Sequence, residues 1–344
     1  MATSIEDVAR RAGVSIATVS RSLRGLPDVA PGTRERVFVA ARELDYVASP
    51  YAARLASGRT DAVGVVVPHV TRWFFAQAIS GAERVLREAG YDLLLYNLGN
   101  GAGRERFFDR MPIRRRVDCV LVLCLPLTDA EIDSIRAMHV PAAVIGATVP
   151  GFASVRIDDV GGGEAAVAHL LELGHRRVGL ISGAPDEPMH FTAPGERRRG
   201  YRQALRSAGV PVDPALEVSG DFTMDSGRVA MERLLALDEP PTAVFAESDE
   251  MAFGVLRALR AAGLTAGRDV SVAGFDDHDM AELLDLTTVA QPVPEQGELV
   301  ARALLTALTR KAPPPRAETI PTRLVVRGST GPPPAPAPRP GRTR

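Results

Sequence analysis

The sequence predicts a short all-helical domain followed by a two-lobed α/β domain, each lobe a parallel sheet flanked by helices. Three observations predict it. Residues 1–46 show helical spacing broken by short turns, with no strand pattern. Residues 61–327 alternate Val/Ile/Leu runs with amphipathic stretches, the pattern of parallel strands buried on both faces. That alternation runs for about 265 residues, large for one open sheet, so two lobes with a cleft between them fit it better.

Composition sets the outer bounds. The chain has 344 residues, 45% hydrophobic and 24% charged, enough apolar material for a sizeable core. It opens polar and acidic at Met1-Ala2-Thr3-Ser4-Ile5-Glu6-Asp7, with no apolar leader, and no run is long enough to span a bilayer. A cytoplasmic protein with no membrane partner is expected. Cys119 and Cys124, five residues apart on one strand, point to opposite faces, so they are expected to stay unpaired as small core residues. Residues 1–60 carry nine arginines against six acids, whereas the whole chain has a net charge of −1. This mild asymmetry is suggestive of an anionic partner at the N-terminus.

In the first domain, Ser4 stands as an N-cap with Asp7 three residues on, a capping box. Ile5, Val8, Ala9 and Ala12 follow at helical spacing, and Gly13 makes the turn. Ser15 caps a second helix, Ile16 to about Leu23, whose Val19 and Leu23 face inward. Pro31 suits the first position of a third helix running to about Leu44. Two short helices joined by a glycine turn make a helix-turn-helix, whose second helix enters the DNA major groove. Its outward positions are Ile16, Ala17 and Arg21, and Arg is the side chain that reads guanine with two hydrogen bonds. Thr18, Ser20 and Ser22 offer hydroxyls to phosphates.

Residues 47–60 read as a linker holding a miniature helix, with Ser49 as N-cap, Pro50 first and Gly58 as terminator. It is too short to be stable alone, so it must fold on something. Strands are expected at 62–68, 91–96, 117–124, 141–145, 177–182, 242–246 and 269–274. Helices are expected over 74–89 and near 128–138, 160–173, 196–208, 224–237 and 248–262. The glycine clusters at 99–103 and 161–163 read as loops, and His175 as a helix cap. The last stretch, 328–344, is Pro-rich and basic, and is expected to be disordered.

The run Ile5-Glu6-Asp7-Val8-Ala9-Arg10-Arg11-Ala12-Gly13-Val14-Ser15-Ile16-Ala17-Thr18-Val19-Ser20-Arg21 closely resembles the N-terminus of the lac/gal repressor family of bacterial regulators. Thr33-Arg34-Glu35-Arg36-Val37 and Glu43-Leu44-Asp45-Tyr46 match as well. Arg24 stands where the family usually has Asn, and Ala30 where a capping Ser is common. The resemblance continues through Val155-Arg156-Ile157-Asp158-Asp159, Gly174-His175-Arg176-Arg177-Val178, Asp249-Glu250-Met251-Ala252 and Val272-Ala273-Gly274-Phe275-Asp276-Asp277. It implies a periplasmic-binding-protein-like sensing domain at 61–327. Lobe 1 is then about 61–158 and 291–318, and lobe 2 about 159–290 and 319–327.

The resemblance also implies roles. DNA is contacted through Ser4, Ser15, Ile16, Ala17, Thr18, Ser20, Arg21, Arg24, Tyr46, Ala52 and Leu55, with Leu55 a wedge in the minor groove of a palindromic operator. Arg54 and Arg59 neutralise phosphates. A small-molecule effector, sugar-like, is held by Trp73, Phe75, Arg197, Ser248 and Asp276. Ser248 stands where many relatives have Asn, and Arg72-Trp73-Phe74-Phe75 where they read Asn-Pro-Phe-Phe. Arg72 leaves an acidic or phosphorylated ligand open. A homodimer follows, since a two-fold operator needs two recognition helices. The expected activity is transcriptional regulation, most simply repression of carbohydrate-related genes, with activation and a sugar-binding protein without DNA function as alternatives. No metal-ligand spacing, nucleophile elbow or phosphate-binding loop occurs, so no enzyme, metal or cofactor is expected.

Overall fold

The computed structural model describes residues 3–23, 25–46, 59–184, 189–310 and 317–335. The chain divides into two compact units, Met1–Asp61 and Ala62–Arg344. In the first unit, α1 (Ile5–Ala12), α2 (Ile16–Leu23) and α3 (Pro31–Glu43) close on a small core of Val8, Val19, Val37 and four alanines, with Ile5, Val14, Leu23, Leu44 and Tyr46 packed at its edge. The expected capping box is present: the Asp7 N–H donates to Ser4 Oγ at 3.3 Å and the Ser4 N–H to Asp7 Oδ2 at 3.0 Å. Gly13 ends α1 with left-handed backbone (φ 67°), which lets the chain reverse within three residues. Ala30 begins α3 with no side-chain cap, as its missing hydroxyl requires.

The second unit holds two six-stranded sheets. One contains β1 (Ala62–Val67), β2 (Asp92–Asn97), β3 (Cys119–Leu123), β4 (Ala142–Ile145), β5 (Ala153–Ile157) and β11 (Glu318–Ile320), in the order β11-β5-β4-β3-β1-β2. The other contains β6 (Val178–Ser182), β7 (Glu217–Ser219), β8 (Ala243–Ala246), β9 (Ser271–Asp276), β10 (Thr287–Ala290) and β12 (Arg323–Val325), in the order β12-β10-β9-β8-β6-β7. All pairings are parallel except that of β12 with β10. The central strands are wholly buried, which is why they read as nearly continuous apolar runs. Both orders reverse beside their first strand, and each reversal places the carboxyl ends of strands around a crevice.

Several expectations need correction. Residues 99–103 are not a loop: Asn100 Oδ1 accepts from the Gly103 N–H at 2.9 Å and caps the helix Gly101–Arg110. Gly161, Gly162 and Gly163 lie in the first turns of the helix Asp159–Glu172, where their missing side chains admit close neighbours. His175 is not a cap. It is buried and bridges Thr242, Ser271 and the Gly331 carbonyl at 2.8–3.0 Å. The tail is not disordered from residue 328: Ser329 is buried, its Oγ accepts from the Thr287 N–H, and Thr330 meets His169. Residues 336–344 lie outside the described residues. Strands β5, β7, β10, β11 and β12 and the helix Val293–Arg310 join the expected elements. The three shortest, of three residues each, carry no pattern long enough to read.

Candidate functional sites

The first site is the outer face of α2. Ser15 Oγ accepts from the Thr18 N–H at 3.1 Å, so Ser15 and Thr18 set the start of the helix. This leaves Ile16 (46% exposed), Ala17 and Arg21 facing solvent, with Ser20 half-buried beside them. Ser22 is a correction. It is buried and its hydroxyl donates to the Thr18 carbonyl at 2.8 Å, so it offers nothing to phosphates. The Arg21 guanidinium donates to the Pro27 carbonyl and to Asp28, both at 3.0 Å. Asp28 is well exposed, so this pairing is weak and exchangeable for a stronger acceptor. Ser4 is engaged in its cap, and Tyr46 packs half-buried on the core. Arg24, Ala52 and Leu55, and with them the miniature helix, lie outside the described residues.

The second site is the cleft between the two sheets, about 750 Å³ including its mouth. Of the five residues expected to contact a ligand, Phe75, Arg197, Ser248 and Asp276 line it. Trp73 does not. At the first turn of the helix Trp73–Glu88 its ring stacks on His278 (4.8 Å between centroids) and its Nε1–H donates to Asp279 at 3.1 Å, tying one lobe to the other beside the cleft. Cys124, expected in the core, lines the cleft from a left-handed position (φ 49°) just after β3, whereas Cys119 is buried. Burial pushes the Cys124 thiol up to about 12, and nearby Asp159 adds to this, so it stays protonated.

Arg197 organises the polar wall. Its guanidinium lies 3.6 Å over the Phe275 ring, donates to Asp159 at 2.8 Å and to the Glu247 carbonyl, and stands 3.9 Å from Asp276. Burial opposes its charge, but Asp159 and Asp276 hold it above the usual Arg range. Asp276 ends β9 with a left-handed φ of 126°, which turns its carboxyl into the cleft, where Gln291 donates to it at 2.6 Å and Gln296 supports Gln291. Burial pushes Asp276 up to about 7 despite Arg197 and Gln291. Ser248 caps the helix Asp249–Ala261 by accepting from the Met251 N–H, so its oxygen is already partly used.

Sequence reasoning missed most of the rest of the wall: Asp159, Phe191, Phe222, Glu250, Gln291 and Gln296. The role of Gln291 depends on β10 ending opposite Asp276. Phe191 and Phe222 come from loops whose meeting with Phe75 depends on tertiary structure, with Phe191 6.3 Å from Phe75 and 6.4 Å from Phe222. Among the described residues no cluster of His, Cys, Asp or Glu is arranged to hold a metal.

Comparison with known proteins places this architecture. Residues 4–49 match the model of bacterial regulatory proteins of the lacI family, and residues 167–330 match a periplasmic binding protein-like domain. The chain is 36% identical to the HTH-type transcriptional repressor CytR of Escherichia coli (strain K12), over 96% of each chain. It is 37% identical to the HTH-type transcriptional regulator CelR of Thermobifida fusca, over 95% of this chain and 98% of that one. Among solved structures it is similar to the lac repressor dimer bound to operator and the anti-inducer ONPF, with a TM-score of 0.84 and 26% identity over 96% of this chain and 100% of that one. It is also similar to a CelR–cellobiose complex, with a TM-score of 0.71 and 36% identity over 95% and 99%. A helix-turn-helix with an exposed outer face, a two-lobed α/β unit with a buried Arg–Asp cleft, and relatives alike along nearly their whole length converge on one conclusion: the chain belongs to the lacI family of bacterial regulatory proteins.

Proposed function

We propose that this regulator is a repressor that binds a palindromic operator as a homodimer and changes its affinity when a neutral, polyhydroxylated effector occupies the cleft. The observation that carries the DNA part is the outer face of α2, where Ile16, Ala17 and Arg21 stand exposed on a helix held from behind by Val19 and Ser22. Arg21 reads a guanine edge, and Ile16 and Ala17 give apolar contact to a thymine methyl. The exposed apolar side chains Leu94 and Leu95 on the edge strand β2, with Met280, Leu283 and Leu284 in lobe 2, support a dimer, because a monomer gains nothing by exposing them.

Effector chemistry follows from charge. The cleft carries Arg72 and Arg197 beside Asp159, Glu250 and Asp276, and Arg197 is already engaged by Asp159. The field of Arg72 acts on Glu250 and Asp221. An anionic ligand is disfavoured, and a ligand rich in hydroxyl donors meets the Asp276 carboxyl and the Gln291 amide. Phe74, Phe75, Phe191 and Phe222 supply apolar faces for a ring. Footprinting of the purified protein on DNA from upstream of its own gene tests the proposal. A protected near-palindrome is expected, and absence of DNA binding at any salt concentration contradicts it.

A further inference from the structure

The run Arg110-Met111-Pro112-Ile113-Arg114-Arg115-Arg116 belongs to neither site described above. It forms the turn between the helix Gly101–Arg110 and β3. Met111, Ile113 and Val117 are buried and anchor it. The Arg114 N–H donates to the Met111 carbonyl at 3.0 Å, and the Arg116 N–H to the Ile113 carbonyl at 3.1 Å. Arg114, Arg115 and Arg116 are therefore presented consecutively, all exposed, on a fixed turn. Met111 (φ 41°) and Arg115 (φ 61°) both take left-handed backbone, which L-residues disfavour and which the buried anchors enforce. Among the described residues, none of the three guanidinium groups has a hydrogen-bond or ion-pair partner. Arg104 in the preceding helix shows the contrast, locked to Glu131 at 2.7 Å.

The turn also has a meaningful place. The Asp118 N–H donates to the Ala62 carbonyl at 2.8 Å, and Cys119 pairs in register with Val63. It thus lies beside the point where the chain enters the two-lobed unit. Residues 47–61 are the tether back to the helix-turn-helix. That length of chain spans at most about 50 Å when fully extended.

We propose that Arg114, Arg115 and Arg116 form a second, sequence-independent contact for the DNA phosphate backbone. This rests on the chain being a DNA-binding regulator. The chemistry fits phosphate: three unpaired planar forks on a rigid turn match phosphate oxygens two at a time. The contact adds affinity to any duplex, holding the protein near DNA while α2 searches for its sequence.

The test uses the full chain, a mixed-sequence duplex and a duplex from upstream of the protein's own gene, titrated from about 50 to about 200 mM salt. The variant R114Q/R115N/R116Q keeps polarity and places Asn, which tolerates left-handed backbone, at the strained position. It is expected to weaken binding to both duplexes alike by at least about tenfold at low salt, and to make the log K against log salt slope shallower by about 1 per lost contact. R114K/R115K/R116K is expected to restore most of the slope. Unchanged affinity and slope while the wild type binds DNA overturn this inference alone, and leave the turn to an acidic protein partner. An equal loss from R233Q/R257Q/R260Q, which removes the same charge from lobe 2, also overturns it. A wild type that binds neither duplex overturns the proposed function, and this contact with it.

Discussion

Asp276 and Glu247 show how single residues tune lobe 2. Glu247 is wholly buried, accepts from the Gly183 N–H at 2.9 Å through one oxygen, and has no partner for the other. Burial pushes it up to about 8, and Asp276 to about 7. A carboxyl raised in this way holds its proton more tightly folded than unfolded. Its contribution is complete below the ordinary value and is lost as pH rises through the folded one. Wild-type stability relative to Glu247→Gln is therefore expected to fall between about pH 5 and about pH 8.5, as read from thermal midpoints; parallel curves would show that Glu247 does not titrate in that window. Ser4→Ala removes the α1 cap and is expected to cost the first unit about 1 kcal/mol, measured by urea unfolding. At this scale the sequence was uneven. Ser4 and Asp7 were legible because a cap is a local relation over three residues. The Arg197–Asp159–Asp276 cluster was only partly so, because it joins residues up to 117 apart.

The helices Asp159–Glu172 and Ala193–Ser207 cross where neither has a side chain in the way. A Cβ on Gly200 would lie 2.2 Å from the Val160 carbonyl oxygen and 2.7 Å from the Glu164 N, both backbone atoms that cannot yield cheaply. Gly195, on the same helix, has nothing within 4 Å. Gly200→Ala is expected to destabilise by about 1–3 kcal/mol and to displace Arg197 one turn away, whereas Gly195→Ala stays near neutral. Equal midpoints for the two in urea unfolding would refute close helix contact. Buried strands and long amphipathic helices were readable from periodicity. The helix Gly101–Arg110 was not, because its glycines outweighed the local Asn100 cap, and the burial of Arg104 and Phe107 is settled only by tertiary contacts.

For the whole molecule, the lobes are tied across the cleft at several points. Trp73 and Gln77 reach Asp279, and Met189, from the lobe 2 part of the chain, is buried in the core of lobe 1, where its carbonyl accepts from Arg104. Since Trp73 is the sole tryptophan, its fluorescence is expected to report effector entry through its stack on His278. A ligand that alters DNA affinity without altering Trp73 emission would show that cleft geometry does not carry the signal. The exposed Leu283 and Leu95 belong to the same scale. L95D/L283D is expected to convert the proposed dimer to monomer in sedimentation and to weaken operator binding, because two recognition helices no longer act together. The two-unit plan and the cleft were legible in the sequence, because alternation and helix caps are local. The five later-found strands and the aromatic wall were not, because short edge strands and loop phenylalanines acquire meaning only in contact. The central claim is sequence-specific DNA reading by α2, and the most direct test compares the affinity for the footprinted fragment with that for a mixed-sequence duplex of equal length, in wild type and Arg21→Ala. A preference of at least about 10³ in the wild type, reduced in the variant mainly by loss of the specific fragment, is the predicted result. Equal affinity of the wild type for both duplexes would contradict the account.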